Sequence, residues 1–253
     1  MNAHPHPSRT EMLEKVVLLL EQSDSFAAMD LVESLDEPEE SGLAYSNLVR
    51  DLYGKRKDVA GMLLIGRAGI RYCLDRAAEA DDGNPEFAGK MRSQAKTIAF
   101  NVSVNAWPGW NEGAVVTRSD SLTALDTARF HLRLTRELKH EPDKLGNAYW
   151  LIGAHHLALG QHAAAVEQFE YAIAKFNAAD KPDYAQMVLG YQGMAEQAQP
   201  ALADQGAKRL AAAQAALREM KTEDAAFFAK QLQEVSDYFA ARRAKAENTS
   251  ARP

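Results

Sequence analysis

One cysteine in 253 residues, Cys73, rules out an internal disulfide and any thiolate metal cage. Helix breakers are also sparse: 15 glycines and nine prolines fall mostly between periodic segments. No stretch alternates cleanly with a period of two, so a sheet has no sequence support and an all-α chain is expected. The longest apolar runs, such as 16–20, are too short to cross a bilayer, and the opening MNAHPHPSRTE lacks the basic-then-apolar order of a secretory signal. A basic excess is missing too, with Lys+Arg 29 against Asp+Glu 35 and a net charge of -6. The chain therefore offers no broad cationic field to nucleic acid or to an anionic membrane. A cytoplasmic address is expected, and a single thiol suits a reducing compartment.

Motifs of chemistry are absent as well. There is no Gly-x4-Gly-Lys-Ser/Thr phosphate loop, no Gly-x-Gly-x2-Gly, no Gly-x-Ser-x-Gly and no His-x3-His. Glu137 and His140 have the Glu-x2-His spacing of di-iron bundles, but no second such pair exists on another helix. His155 and His156 are adjacent, so a helix turns them about 100 degrees apart and away from a shared ion. Cys73 sits in an amphipathic stretch, which reads as a buried, inert thiol. No catalytic residue, metal or cofactor is expected.

What the chain does have is helical periodicity, clearest over 147–176, NAYWLIGAHHLALGQHAAAVEQFEYAIAKF. Tyr149, Ile152, Gly153 and His156 share one face of a first helix; Ala165, Phe169 and Ala172 share one face of a second. Small residues at Gly153 and Ala165 let two helices cross closely, and Phe169 fills the space beside them. With the turn glycine Gly160, this spacing resembles the tetratricopeptide repeat. His156 stands where that family usually has an aromatic, and Asn177 where it usually has proline. His156 is read as a packed, hydrogen-bonded imidazole.

Less regular copies are expected on either side, because one such hairpin cannot bury its faces alone. Ser8 and Glu11 form a capping box ahead of the stripe Leu13, Val16, Val17 and Leu20, and a second short helix follows over 26–35. The acidic block around Pro38 reads as a helix start, with a docking patch for a basic partner as the alternative. Helices over 43–53 and 59–80, joined through Gly54-Lys55-Arg56-Lys57, form the next pair. Further helices are expected over 87–105 and 122–139, then the clear hairpin, a pair over 184–198 and 202–220, and a closing helix capped by Thr222. The expected architecture is a right-handed α-solenoid of about five antiparallel helix pairs with a C-terminal capping helix. A single repeat domain spans 8–246, between disordered tails at 1–7 and 247–253.

In the tetratricopeptide family the first helix of each hairpin lines a concave groove that takes peptides or helices. The resemblance implies that Asn147, Trp150, Ala154 and Leu157 face such a groove. Chaperone-binding members would carry lysine at Trp150 and asparagine at Ala154, so that specificity does not transfer. The alternative for Trp150 is packing on the preceding hairpin. The connection 106–113 holds Trp107 and Trp110 in a Pro/Gly-rich setting, either as an exposed binding loop or as a plug over the helix ends. Phe227 and Tyr238 lie off the main stripe of the closing helix and offer a seam for a homo-oligomer. The expected function is a non-catalytic adaptor that binds a protein segment or peptide. A ligand- or signal-peptide-responsive regulatory domain and an enzyme on a helical scaffold are the alternatives.

Overall fold

The computed structural model describes residues 7–250, and among them there are helices and no strand. The expected N-terminal tail falls, apart from Pro7, outside the described residues. So do the last three residues of the expected C-terminal tail. Six helices, α1 (Arg9–Glu21), α2 (Ser25–Glu33), α3 (Pro38–Arg56), α4 (Val59–Ala80), α5 (Pro85–Asn105) and α6 (Arg118–Glu137), precede five more. Those are α7 (Pro142–Ala158), α8 (His162–Ala178), α9 (Pro182–Gln197), α10 (Ala203–Glu219) and α11 (Glu223–Ser250).

Local chemistry sets most of these boundaries. The capping box expected at Ser8 and Glu11 forms: Ser8 Oγ accepts from Glu11 N, and Ser8 N donates to Glu11 at 2.8 Å. Thr117 and Asp120 repeat the device at the start of α6. Asp24, Asp58 and Asn84 cap α2, α4 and α5 with side-chain oxygens. Helices α3, α7 and α9 lack a side-chain cap and begin on Pro38, Pro142 and Pro182, with an acid in the first turn of each. Proline presets the first helical φ there, and the carboxylate meets the positive end of the backbone dipole. The block Glu39-Glu40 is thus part of α3, which starts five residues before the expected 43.

The other end of α3 also departs from expectation. Gly54 was the anticipated break, yet the helix runs through it to Arg56, and the chain turns at Lys57 with a φ of 55°. Lys57 N–H reaches Tyr53 O, and the cations of the last turn satisfy the negative end of the helix. Between α7 and α8, Gly160 takes a φ of 75°, with Gly160 N on Leu157 O and Gln161 N on His156 O. This is a Schellman ending, and glycine alone adopts it without strain. At the far end of the chain, α11 keeps its helical backbone to Ser250, past the expected limit of 246.

By packing, the expected span 8–246 divides into two compact units: Met1–Ala106 with Gly113–Leu138, and Trp107–Glu112 with Lys139–Pro253. In the first, α4 lies against α3 and α5, α3 also touches α5, and α5 carries α6. Its core is built from side chains such as Tyr45, Leu52, Met62, Ile65, Met91 and Ile98. Asp51, buried on α3, ties α1 to this core: Arg9 donates to both its oxygens at 2.8 and 2.6 Å, and Lys55 adds a second cation at 3.3 Å. In the second unit, α8 lies between α7 and α9, and α9 supports α10 and α11.

Close crossings decide these packings. Gly153 of α7 faces the Phe169 ring of α8, so a Cβ there would stand 2.5 Å from the ring. On α9 and α10 the approach is backbone to backbone. A Cβ on Gly206 would lie 2.4 Å from Gln197 N and 2.5 Å from Gly193 O, atoms that no side-chain rotation can move. Gly206→Ala is therefore expected to cost about 1–3 kcal/mol. Gly89→Ala on α5, with nothing within 4 Å, should stabilise by about 0.5–1 kcal/mol. Urea midpoints of the two variants check both signs.

The Arg9 hydrogen bonds are the main cause holding the Asp51 carboxyl below the usual carboxylate range, against the opposing effect of its burial. A depressed carboxylate contributes stability above its unfolded pKa, and that contribution is lost as pH falls through the lower folded value. Asp51→Asn should accordingly cost about 1–2 kcal/mol at about pH 6. The gap to the wild type should close as the solution is acidified to about pH 3, read from urea unfolding at each pH. A gap that does not narrow on acidification would refute this assignment.

Candidate functional site

The first unit presents an open cleft of about 1080 Å³ between α4 and α6. Both helices are committed to α5 and barely touch each other, which leaves their outer ridges apart. Along α4 the lining residues are Ala60, Leu63, Leu64, Arg67, Ala68, Ile70, Arg71 and Leu74, a spacing that, Ile70 at its edge apart, keeps one face in line over about four turns. Facing them from α6 are Asp120, Thr123, Asp126, Thr127 and Phe130, and Met29 of α2 closes one end. Leu64 is 38% exposed, while Leu63 beside it is buried. The floor is thus apolar and wetted only in part.

Charge is distributed unevenly around that floor. Asp120 is occupied by Thr117, whose N and Oγ1 donate to it at 2.9 and 2.7 Å. Asp126 pairs with Arg129 at 3.1 Å, and Arg71 pairs with Asp75 at 2.6 Å. The threonines are partly spent locally, since Thr127 Oγ1 donates to Thr123 O. Arg67, exposed on the α4 wall, has no ion-pair partner among the described residues. One uncommitted cation over an apolar floor is the chemistry the cleft offers.

The groove and loop residues offered by the sequence, Asn147, Trp150, Ala154, Leu157, Trp107 and Trp110, all lie in the second unit. Trp107 is interior, 1% exposed, and its Nε1 donates to Ala154 O at 2.8 Å. Its ring meets Tyr191 at 5.7 Å, Phe239 at 6.2 Å and Trp110 edge-on at 4.8 Å. Of the two readings of this connection, Trp107 takes the plug: Pro108–Trp110 forms a single 3-10 turn that presses the indole between α7, α9 and α11. Trp110 is partly buried and neighbours Trp150 at 6.3 Å. Trp150 is 6% exposed and packs edge-on to Tyr191 at 5.6 Å. Ala154 is covered, Leu157 is buried at the edge of a small cavity, and Asn147 is partly exposed. The structure gathers Trp107, Trp110, Trp150 and Ala154 into one aromatic core. Helix α7 is buried on nearly every face, as its apolar residues all round it require.

Other sequence readings fall into place around this core. His156 is buried, with Nδ1 2.5 Å from Gln161 Oε1, a packed imidazole. Burial pushes the Cys73 thiol up to about 12. A protonated thiol on the buried face of α4 is inert at neutral pH. Phe227 of α11 is 62% exposed, and Tyr238 is partly buried. Among the described residues no three His, Cys, Asp or Glu side chains converge as metal ligands would.

The cleft itself was missed in the sequence. The signal was there in Met62-Leu63-Leu64-Ile65, four apolar residues in a row that put apolar surface on two faces of α4. The buried stripe Met62, Ile65, Gly69 and Cys73 accounts for one face only. No family model matches the chain, and no curated protein matches it.

Trp150 Nε1 is buried and makes no hydrogen bond among the described residues. Removing an orphaned donor while keeping an aromatic ring costs little, so Trp150→Phe is expected to stay within about 1 kcal/mol of the wild type. Trp107→Ala empties the aromatic core and orphans Ala154 O, at a cost of about 3–5 kcal/mol. Thermal melts of the two variants test this contrast. Any partner lost by Trp107→Ala would report unfolding instead of a broken contact.

Proposed function

We propose that the chain is a non-catalytic adaptor, each unit a short tetratricopeptide-like stack, which holds a segment of a partner protein in the α4–α6 cleft. The observation that carries this reading is an elongated apolar floor with one uncommitted cation, Arg67, at its wall. A floor of that kind suits the apolar stripe of a helix laid along it, with an acidic residue of the partner beside Arg67. The repeat-like spacing at 147–176 supports the stacking, as does the packing of successive helices within each unit. Right-handed solenoid geometry belongs to the same proposal. So does the cytoplasm as the place of action, for which the lone buried thiol is congenial.

The seat of binding on this reading differs from the residues the repeat resemblance implies. Trp150 and Ala154 are spent on the core of the second unit, whereas Leu64 is exposed along the cleft of the first. Selection of helical peptides from a displayed library on the intact chain tests the proposal. Recovered sequences should carry an apolar stripe flanked by Asp or Glu. Leu64→Asp should weaken them at least about tenfold. Arg67→Glu should weaken acidic peptides and favour their Lys counterparts, with the melting temperature of both variants little changed. Peptides that bind both variants as they bind the wild type would refute the cleft. A library that yields no binder would refute the adaptor.

A further inference from the structure

We propose that the second unit binds a small organic anion, with its head group at Arg242, Arg243 and His162 and its apolar body on Leu157 and Phe239. These residues line a cavity of about 300 Å³ where the α7–α8 turn, the end of α9 at Ala198 and the face of α11 come together. The floor is apolar throughout: Leu157, Ala158, Leu159, Ala198 and Phe239. Every charged side chain in the lining is an arginine, in a chain whose net charge is -6.

The two arginines have different duties. Arg242 Nη1 donates to Ala158 O at 3.1 Å, near the last carbonyls of α7, where a cation also meets the negative end of the helix. Arg243, one residue on and partly buried, has no hydrogen bond or carboxylate partner among the described residues. It faces His162, whose pKa is lowered, first by its burial and then by the charge of Arg243. A cation left beside an imidazole that it discourages from charging is an electrostatic deficit. An anion placed between them removes it, with a guanidinium fork suited to carboxylate or phosphate oxygens. The volume is at the lower end of ligand pockets, which limits the occupant to a short apolar body of about ten atoms. Carboxylate and phosphate heads share this chemistry. The site is separate from the α4–α6 cleft and stands or falls without it.

Calorimetry on the full chain, with the His162 Cε1–H resonance as a local reporter, distinguishes the possibilities. The probes are hexanoate, hexyl phosphate, inorganic phosphate and hexanol. Hexanoate or hexyl phosphate, whichever head the site takes, should bind saturably and move the His162 resonance. Inorganic phosphate and hexanol should each bind at least about tenfold more weakly. Arg243→Gln should weaken the preferred probe about tenfold, Arg243→Lys should weaken it less, and Lys208→Gln on α10 should leave it unchanged. Hexanol binding as well as hexanoate would reduce the site to an apolar hole. Inorganic phosphate binding as well as hexyl phosphate would mean an adventitious ion only. Either result overturns the proposal. Failure of both amphipathic probes at about 10 mM, or an Arg243→Gln variant that melts and binds as the wild type does, overturns it too.

Discussion

A helix that carries apolar residues on more than one face must be covered on more than one side, and nearly everything in this chain follows from that constraint. Helix α7 is the extreme case, with buried residues at every position from 148 to 158. It obtains cover from α8 and from the Trp107 indole, which reaches the Ala154 carbonyl across the gap. Such cover works only if backbones approach closely. Gly153 admits the Phe169 ring, and Gly193 and Gly206 bring two backbones together where any side chain would stand in the way. Dispersion falls off steeply with distance, so these notches contribute by what they bring into contact more than by anything glycine does itself.

Polar groups drawn inside follow the same logic in reverse. Asp51 is tolerated in the first unit because Arg9 and Lys55 both answer it. Glu196 of α9 is held by Arg209 at 2.8 Å and Gln192 at 3.2 Å, and the Tyr191 hydroxyl accepts from Gln231 at 2.8 Å. Each partner comes from another helix or from the next turn, so these bonds fix which helices meet and in what register. Isolated from its partner, any of these groups would oppose folding. Satisfied, they add specificity to a core that apolar surface alone would leave permissive.

Helix positions were largely legible because they rest on local chemistry: the Ser8 and Glu11 box, the acidic helix start around Pro38, and Gly160 between α7 and α8. Gly54 misled, since a glycine inside a helix costs only about 1 kcal/mol and packing overrides it. The tryptophans left two readings open for a related reason. A Pro/Gly-rich connection with two indoles reads equally well as an exposed loop or as a plug, and only the position of Ala154 O, 47 residues away in sequence, decides between them. The cleft was illegible because it is defined by what α4 and α6 leave uncovered, and periodicity records which face is apolar without recording whether a neighbour arrives.

That last distinction also bears on where such a chain can acquire function. Faces that meet a neighbour are fixed by volume, and a change there is felt as instability. Leu64 and Arg67 stand exposed on a ridge of α4, so their identities are free of the packing that constrains Ile65 or Phe169. Arg243 is in the same position on α11, beside a covered Phe239. Stability is secured by residues one helical step away from those that are free to select a ligand. On the proposed reading, such a chain can change what it binds without changing how it folds.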